Sequence, residues 1–243
     1  RDVTSAYAVL SICGPKSREL LSEICDIELH NHKFPFNSLK TFYLGHAKVF
    51  AQRLSYTGAL GWEIFVTPDF AEHVFEVIFA SGQKYGLRLV GSEALNVLRI
   101  EKGFPHWGHD MAYADLPQQM GLQFVCKPSQ ICPFIGQDAY LADYPSCDIY
   151  RLYSIKLRDP KPLLHHNEPV LEDGKVVGYV TSGGYSDHFG VALGLCLIKS
   201  EHNSAPGKIS ECKSFSVLIE GASYSADISP SAFYDPNHSN MKS

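Results

Sequence analysis

The chain has 243 residues, 45% of them apolar, with 26 acidic against 21 basic side chains and a formal net charge of −5. That length suits one large domain or two of ordinary size, each able to bury its own core. The 19% charged and 12% aromatic content excludes a disordered chain, the acidic balance argues against a general nucleic-acid or anionic-membrane binder, and no apolar run approaches the roughly 18 residues of a membrane-spanning helix.

In chain order, residues 6–13 form a short apolar run that predicts a buried strand. Gly14-Pro15 then opens a helix with Leu20, Leu21 and Ile24 on one face. Residues 39–56 read as two strands around Gly45-His46. Trp62 to Val66 is a third strand, with Trp62, Ile64 and Val66 facing one way and Glu63 and Phe65 the other. Thr67-Pro68 starts a helix with a capping hydroxyl and Pro at its first position; Phe70, Val74, Val77 and Ile78 recur at helical spacing, and Gly86 ends it. A second helix is predicted from Ser92 to Lys102, stopped by Gly103.

Residues 104–135 are irregular, and a short helix follows from Ile135-Gly136 to Leu141. From about residue 149 the pattern changes to short strands and turns. Leu152–Leu157, a hairpin turning at Asp173-Gly174, Val191–Ile198, Phe215–Ile219 and Tyr224–Ile228 predict a small all-β barrel. The fold class expected is therefore α+β: a mixed first domain, residues 1–148, and a barrel domain, residues 149–243.

The seven cysteines (13, 25, 126, 132, 147, 196 and 212) are odd in number and widely spaced, with no C-x-x-C. They read as reduced, mostly buried thiols in a reducing compartment. No dinucleotide-binding glycine fingerprint, phosphate-binding loop or serine nucleophile elbow occurs.

The segment Ser55-Tyr56-Thr57-Gly58-Ala59-Leu60-Gly61-Trp62-Glu63 joins two strands through a turn with two glycines. Tyr56 and Glu63 flank it, so a phenol and a carboxylate can face one ligand. Glu63 sits in an otherwise apolar strand and needs a donor partner there; paired N–H groups on a guanidine-like heterocycle edge would serve, and a solvent-facing strand end is the alternative. Arg99 and Glu101 are two apart on an apolar helix, so one of them is expected to face inward, the arginine toward a carboxylate of the protein or of a ligand. Trp107 offers a flat apolar face to a planar ligand, or serves as a core or rim aromatic. His106, His109 and Asp110 lack the spacing of a helical metal site, and no metal is expected.

Together these blocks resemble a family. Tyr56-Thr57-Gly58-Ala59-Leu60-Gly61-Trp62-Glu63 is similar to a signature of the glycine-cleavage T-protein, or aminomethyltransferase, superfamily. Leu98-Arg99-Ile100-Glu101-Lys102-Gly103 with Trp107-Gly108 and Asp110, then Gly121-Leu122 with Phe124, Phe134-Ile135-Gly136-Gln137-Asp138-Ala139 and Gly178-Tyr179-Val180-Thr181-Ser182-Gly183 resemble its further blocks, in order over nearly the whole chain. Within that superfamily the closer likeness is to the C-terminal part of the sarcosine and dimethylglycine dehydrogenases; the tail Phe233-Tyr234-Asp235-Pro236-Asn237 favours the former.

The resemblance implies a T-protein-like folate-binding domain, incomplete at its N-terminus, followed by the T-protein barrel. It implies a parent flavoenzyme whose FAD domain oxidises an N-methylglycine, and whose tetrahydrofolate-binding part receives the one-carbon unit as methylenetetrahydrofolate. It places Tyr56 and Glu63 at the pterin, Arg99 near the folate tail and Trp107 in the same pocket. It further implies the mitochondrial matrix, electron-transfer flavoprotein as a partner of the parent enzyme, and a catalytic Asp and FAD domain lying before Arg1. Ala59 departs from the family, which usually has Glu there. Two relatives of different role share the resemblance: the non-catalytic regulatory subunit of pyruvate dehydrogenase phosphatase, and flavin-free tetrahydrofolate-dependent aminomethyltransferases.

Overall fold

A computed structural model describes residues 1–127, 132–142, 150–199 and 214–243. The chain forms two compact units, 1–95 with 235–243, and 96–234. Cys147, Cys212 and the expected domain boundary after residue 148 lie outside the described residues.

The first unit is built on a four-stranded antiparallel sheet. Its strands are β1 (Ala8–Cys13), β2 (Leu39–Leu44), β3 (Ala47–Gln52) and β4 (Gly61–Val66), in the order β1-β4-β3-β2. Side-chain alternation divides the sheet into two faces. Trp62, Ile64, Val66, Val49 and Ala51 are fully buried on the inner face, together with Leu20 and Leu21 of α1 (Ser17–Ile24) and Val74 and Ile78 of α2 (Ala71–Gly82). Each such aliphatic side chain contributes about 1.5–3 kcal/mol on burial. The outer face carries Val9, Ser11, Glu63, Phe65, Phe50 and Gln52, none of them fully buried.

Two expectations for this unit need correction. The run at 6–13 is an edge strand and not a buried one: Val9 is 50% exposed, and only Ile12 of β1 is fully buried. Valine marks β propensity, but its parity sends it to the outer face. Thr67 makes no side-chain capping bond, because Pro68–Phe70 form a 3-10 turn before α2 begins; Phe70 is thereby rotated off the helix's apolar face and is 44% exposed. Gly86 does end the segment, at φ 76°.

Glu23 of α1 holds the segment after α2. Its carboxylate accepts from Lys84 Nζ at 2.6 Å, from Ser81 Oγ at 3.2 Å and from the Tyr85 hydroxyl. The Lys84 contact, then that of Tyr85, holds the Glu23 carboxyl below its ordinary 4.5, and the bond to Glu23 pushes the Tyr85 hydroxyl up to about 12. A depressed carboxyl contributes stability above its ordinary value and loses it as pH falls further. The stability difference between wild type and Glu23→Gln should therefore be constant near neutrality and shrink below pH 4.5, as denaturant titrations over that range will show. On the alkaline side the Tyr85 contribution should fade as pH rises through about 12.

The second unit contains a closed six-stranded antiparallel barrel, as the strand pattern predicts. Its strands are β5 (Tyr150–Leu157), β6 (Pro169–Glu172), β7 (Lys175–Ser186), β8 (Val191–Lys199), β9 (Phe215–Ile219) and β10 (Ala222–Ser229), ordered β10-β5-β8-β7-β6-β9. Ile155, Leu157, Val170, Val180, Ala192, Cys196 and Val217 fill it. Asp173 and Gly174 take φ of 48° and 80°, the left-handed pair a two-residue hairpin turn demands.

Register slips by one residue in β7 between Val180 and Ser182, leaving Thr181 as the extra residue of a bulge. At Gly178 an added Cβ would lie 1.9 Å from the Leu197 carbonyl oxygen of β8. Gly178→Ala should accordingly part β7 from β8 and cost about 3 kcal/mol, at the upper end for overpacking, measurable by denaturant unfolding. Of the five described cysteines, all free, only Cys196 is buried; Cys13, Cys25 and Cys126 are partly buried and Cys132 is exposed. Burial pushes the Cys196 thiol well above its ordinary range, which makes it an inert core residue.

Candidate functional site

The turn between β3 and β4 carries the first group of candidate residues. Gly58 adopts φ 78°, which lets the chain reverse between Arg53 and Gly61. Tyr56, within this turn, lines a cavity of about 330 Å³ together with Ser11 and Cys13 of β1, Phe75 and Phe79 of α2, and Arg88. That volume is at the lower end for small-molecule sites.

Glu63 is held on the outer face of β4, with Ser11 of β1 and Gln52 of β3 as its register partners. It is half-buried, and its carboxylate makes no hydrogen bond or ion pair with any described residue. One step along the strands, Phe65 and Phe50 stack at 4.9 Å with an interplanar angle of 6°, and Tyr7 meets Phe50 edge-on at 4.9 Å. A carboxylate without a described partner thus stands next along the strand to a stacked aromatic pair. Glu63 does not itself line the cavity that Tyr56 lines; Ser11 links the two, as a lining residue and as the register partner of Glu63.

Arg99 and Trp107 belong to the second unit. Arg99 lies in the last turn of α3 (Ser92–Glu101), with its side chain 2% exposed. Its Nε and Nη2 donate to Asn96 Oδ1 at 2.9 and 2.7 Å, Nη2 also to Ser182 Oγ at 2.7 Å, and Nη1 to the Phe104 carbonyl at 3.2 Å and to Asp110. All five guanidinium N–H groups are thereby used, and none is left for a ligand. Asp110 in turn accepts from Thr181 Oγ1 at 2.5 Å and from the His106 amide at 2.8 Å. The bulge at Thr181 is what directs the successive residues Thr181 and Ser182 into this cluster.

The expectation that one of Arg99 and Glu101 faces inward is exceeded: both are buried, at 1% and 7% exposure. Two residues apart on a helix means nearly opposite sides, so both sides are covered, and each residue has its own partner. Glu101 Oε1 accepts from Ser186 Oγ at 2.5 Å. Trp107 is 62% exposed. His106 and His109 stack at 5.4 Å and His166 meets His109 edge-on at 5.9 Å, yet among the described residues no three His, Cys, Asp or Glu side chains are placed to share a metal ion.

Sequence reasoning missed Asp110 as the buried partner of Arg99, and Arg88 as the cation of the cavity. The first carried a signal, since a buried arginine needs a carboxylate and Asp110 lies in the same stretch of chain; the second carried none.

Residues 1–130 match the GCVT N-terminal domain and residues 151–235 the Glycine cleavage T-protein C-terminal barrel domain. The chain belongs to the glycine cleavage T-protein family. It is 33% identical over 241 residues to 4-methylaminobutanoate oxidase (formaldehyde-forming) of Paenarthrobacter nicotinovorans, covering 99% of this chain and 28% of that protein. To human mitochondrial sarcosine dehydrogenase it is 31% identical over 245 residues, covering 99% of this chain and 26% of the relative. The chain thus spans about a quarter of the length of these two relatives. Its fold is shared with glycine cleavage system aminomethyltransferase T from Bartonella henselae, at a TM-score of 0.74 and 19% identity over 92% of this chain and 58% of that one.

Proposed function

We propose that the chain is the tetrahydrofolate-binding portion of a flavoenzyme that oxidises an N-methylated amino acid, sarcosine being the first candidate. Its residues 1–148 would form the aminomethyltransferase-like domain and 149–243 the barrel domain. The observation that carries this reading is Glu63: a half-buried carboxylate without a partner among the described residues, beside stacked aromatics. The relatives support it, since two of them are named for oxidising or dehydrogenating a methylamino acid.

A reduced folate, when bound, supplies the nitrogens that take up the one-carbon unit as methylenetetrahydrofolate. Glu63 accepts hydrogen bonds from the amino and ring N–H groups of the pterin edge and so fixes its orientation. Phe65 and Phe50 offer the planar ring an apolar face, and Tyr56 borders the adjoining cavity. Arg99, with every donor engaged, serves by holding Asp110 and the 104–110 loop that presents Trp107. FAD, electron-transfer flavoprotein and the mitochondrial matrix belong to the parent enzyme on this reading; the human relative is named as mitochondrial.

Calorimetric titration of the chain with tetrahydrofolate tests the proposal: saturable one-to-one binding is expected. No binding by a chain shown to be folded would overturn it. Ala59 would then favour the second reading, a regulatory subunit that keeps the fold without folate chemistry.

A further inference from the structure

Arg88 is the one charged side chain among the described residues that line the cavity beside Tyr56, and no carboxylate lines it. It is exposed, and its only hydrogen bond to a described residue runs from Nη1 to the neighbouring Leu87 carbonyl at 3.0 Å. Four of its five donors are therefore available. Two other arginines of this unit are committed: Arg18 donates to the Leu29 carbonyl and to Asn31, and Arg53 to the Phe34 carbonyl. The rest of the cavity is apolar with a few hydroxyls, and Phe75 and Phe79 stack along α2 at 5.6 Å with an interplanar angle of 13°.

An apolar, aromatic-walled cavity with one free guanidinium and no negative charge selects a ligand with a flat apolar body and a carboxylate at its end. A reduced folate has that form beyond its pterin: a benzoyl ring followed by a glutamate. We infer that Arg88 anchors the glutamate carboxylate of a reduced folate, with the benzoyl ring against Phe75 and Phe79. The inference rests on the reduced-folate reading above and deepens it by stating where the tail of the ligand lies. It also moves the anionic anchor from Arg99, whose five donors are spent inside the protein, to a residue that has donors to give.

The test is a set of calorimetric titrations of the whole 243-residue chain and its Arg88→Ala and Arg88→Lys variants. Three probes are used: tetrahydrofolate, 6-methyltetrahydropterin, which lacks the benzoylglutamate, and p-aminobenzoylglutamate, which lacks the pterin. Arg88→Ala should weaken tetrahydrofolate about tenfold or more and abolish measurable p-aminobenzoylglutamate binding, with 6-methyltetrahydropterin unchanged. Arg88→Lys should recover part of the loss. Tetrahydrofolate bound equally well by wild type and Arg88→Ala would overturn the assignment while leaving the folate reading intact. So would an equal loss for tetrahydrofolate and 6-methyltetrahydropterin, since that pattern reports a general disturbance of the cavity. Binding of none of the three by the wild type would overturn the folate reading, and the assignment with it. Circular dichroism confirms that the variants fold.

Discussion

Asp110→Ala should destabilise the barrel-bearing unit by about 3–5 kcal/mol, the cost of breaking a buried ion pair from one side. The Arg99 side chain is 2% exposed and the Asp110 side chain 0%, so the substitution leaves a guanidinium charge with neither water nor counter-ion. It also removes the nearer of the two acceptors of Thr181 Oγ1, leaving the Leu195 carbonyl at 3.2 Å, and the acceptor of the His106 amide. For a unit of this size the loss lowers the melting temperature by roughly 10 °C or more. Differential scanning calorimetry reads that shift, and hydrogen exchange on β7 places it at the bulge. The double variant Arg99→Met with Asp110→Leu should recover much of the stability, because replacing both charges removes the desolvation cost along with the attraction. A single substitution costing under about 1 kcal/mol would show that the cluster does not hold the unit together.

Glu63→Gln should lower tetrahydrofolate affinity by about 1–3 kcal/mol, roughly 5- to 150-fold, while leaving stability within about 0.5 kcal/mol of wild type. The contrast follows from the position of Glu63. The carboxylate has no described partner to lose, so the fold does not depend on its charge. A ligand edge rich in N–H donors does depend on it, and a carboxamide replaces one acceptor oxygen by a donor. The two readouts separate a binding residue from a structural one. Unchanged affinity alongside retained wild-type binding would remove Glu63 from the site.

The parts of this fold governed by local periodicity are legible in the sequence. The alternation at Trp62, Glu63, Ile64, Phe65 and Val66 states which side of β4 faces the core, and the buried set on the inner face agrees with it. Asp173-Gly174 announces its hairpin because few other residue pairs accept two left-handed conformations in succession. The ordered blocks from Tyr56 to Gly183 carried the family.

What escaped depends on partners distant in sequence. That β1 is an edge strand depends on which strand pairs beside it, not on its own composition. That Arg99 and Glu101 are both enclosed depends on Ser182 and Ser186, 83 and 85 residues away. The bulge that aims Thr181 and Ser182 is a one-residue slip between two strands, and neither strand encodes it alone. Phe70 fits the helical period of α2, but Pro68 starts a tighter turn that spoils its phase.

Closure of the barrel pairs β10 with β5 and leaves that sheet no open side, whereas the four-stranded sheet ends at β1 and β2. Val9 on one of these margins and Leu39 and Tyr43 on the other are 50%, 56% and 51% exposed. Unpaired strand margins bearing apolar side chains are templates for further strands. When this chain is concentrated, the margins of the smaller sheet should therefore contribute to its self-association, and a lysine placed at Val9 or Leu39 should raise solubility.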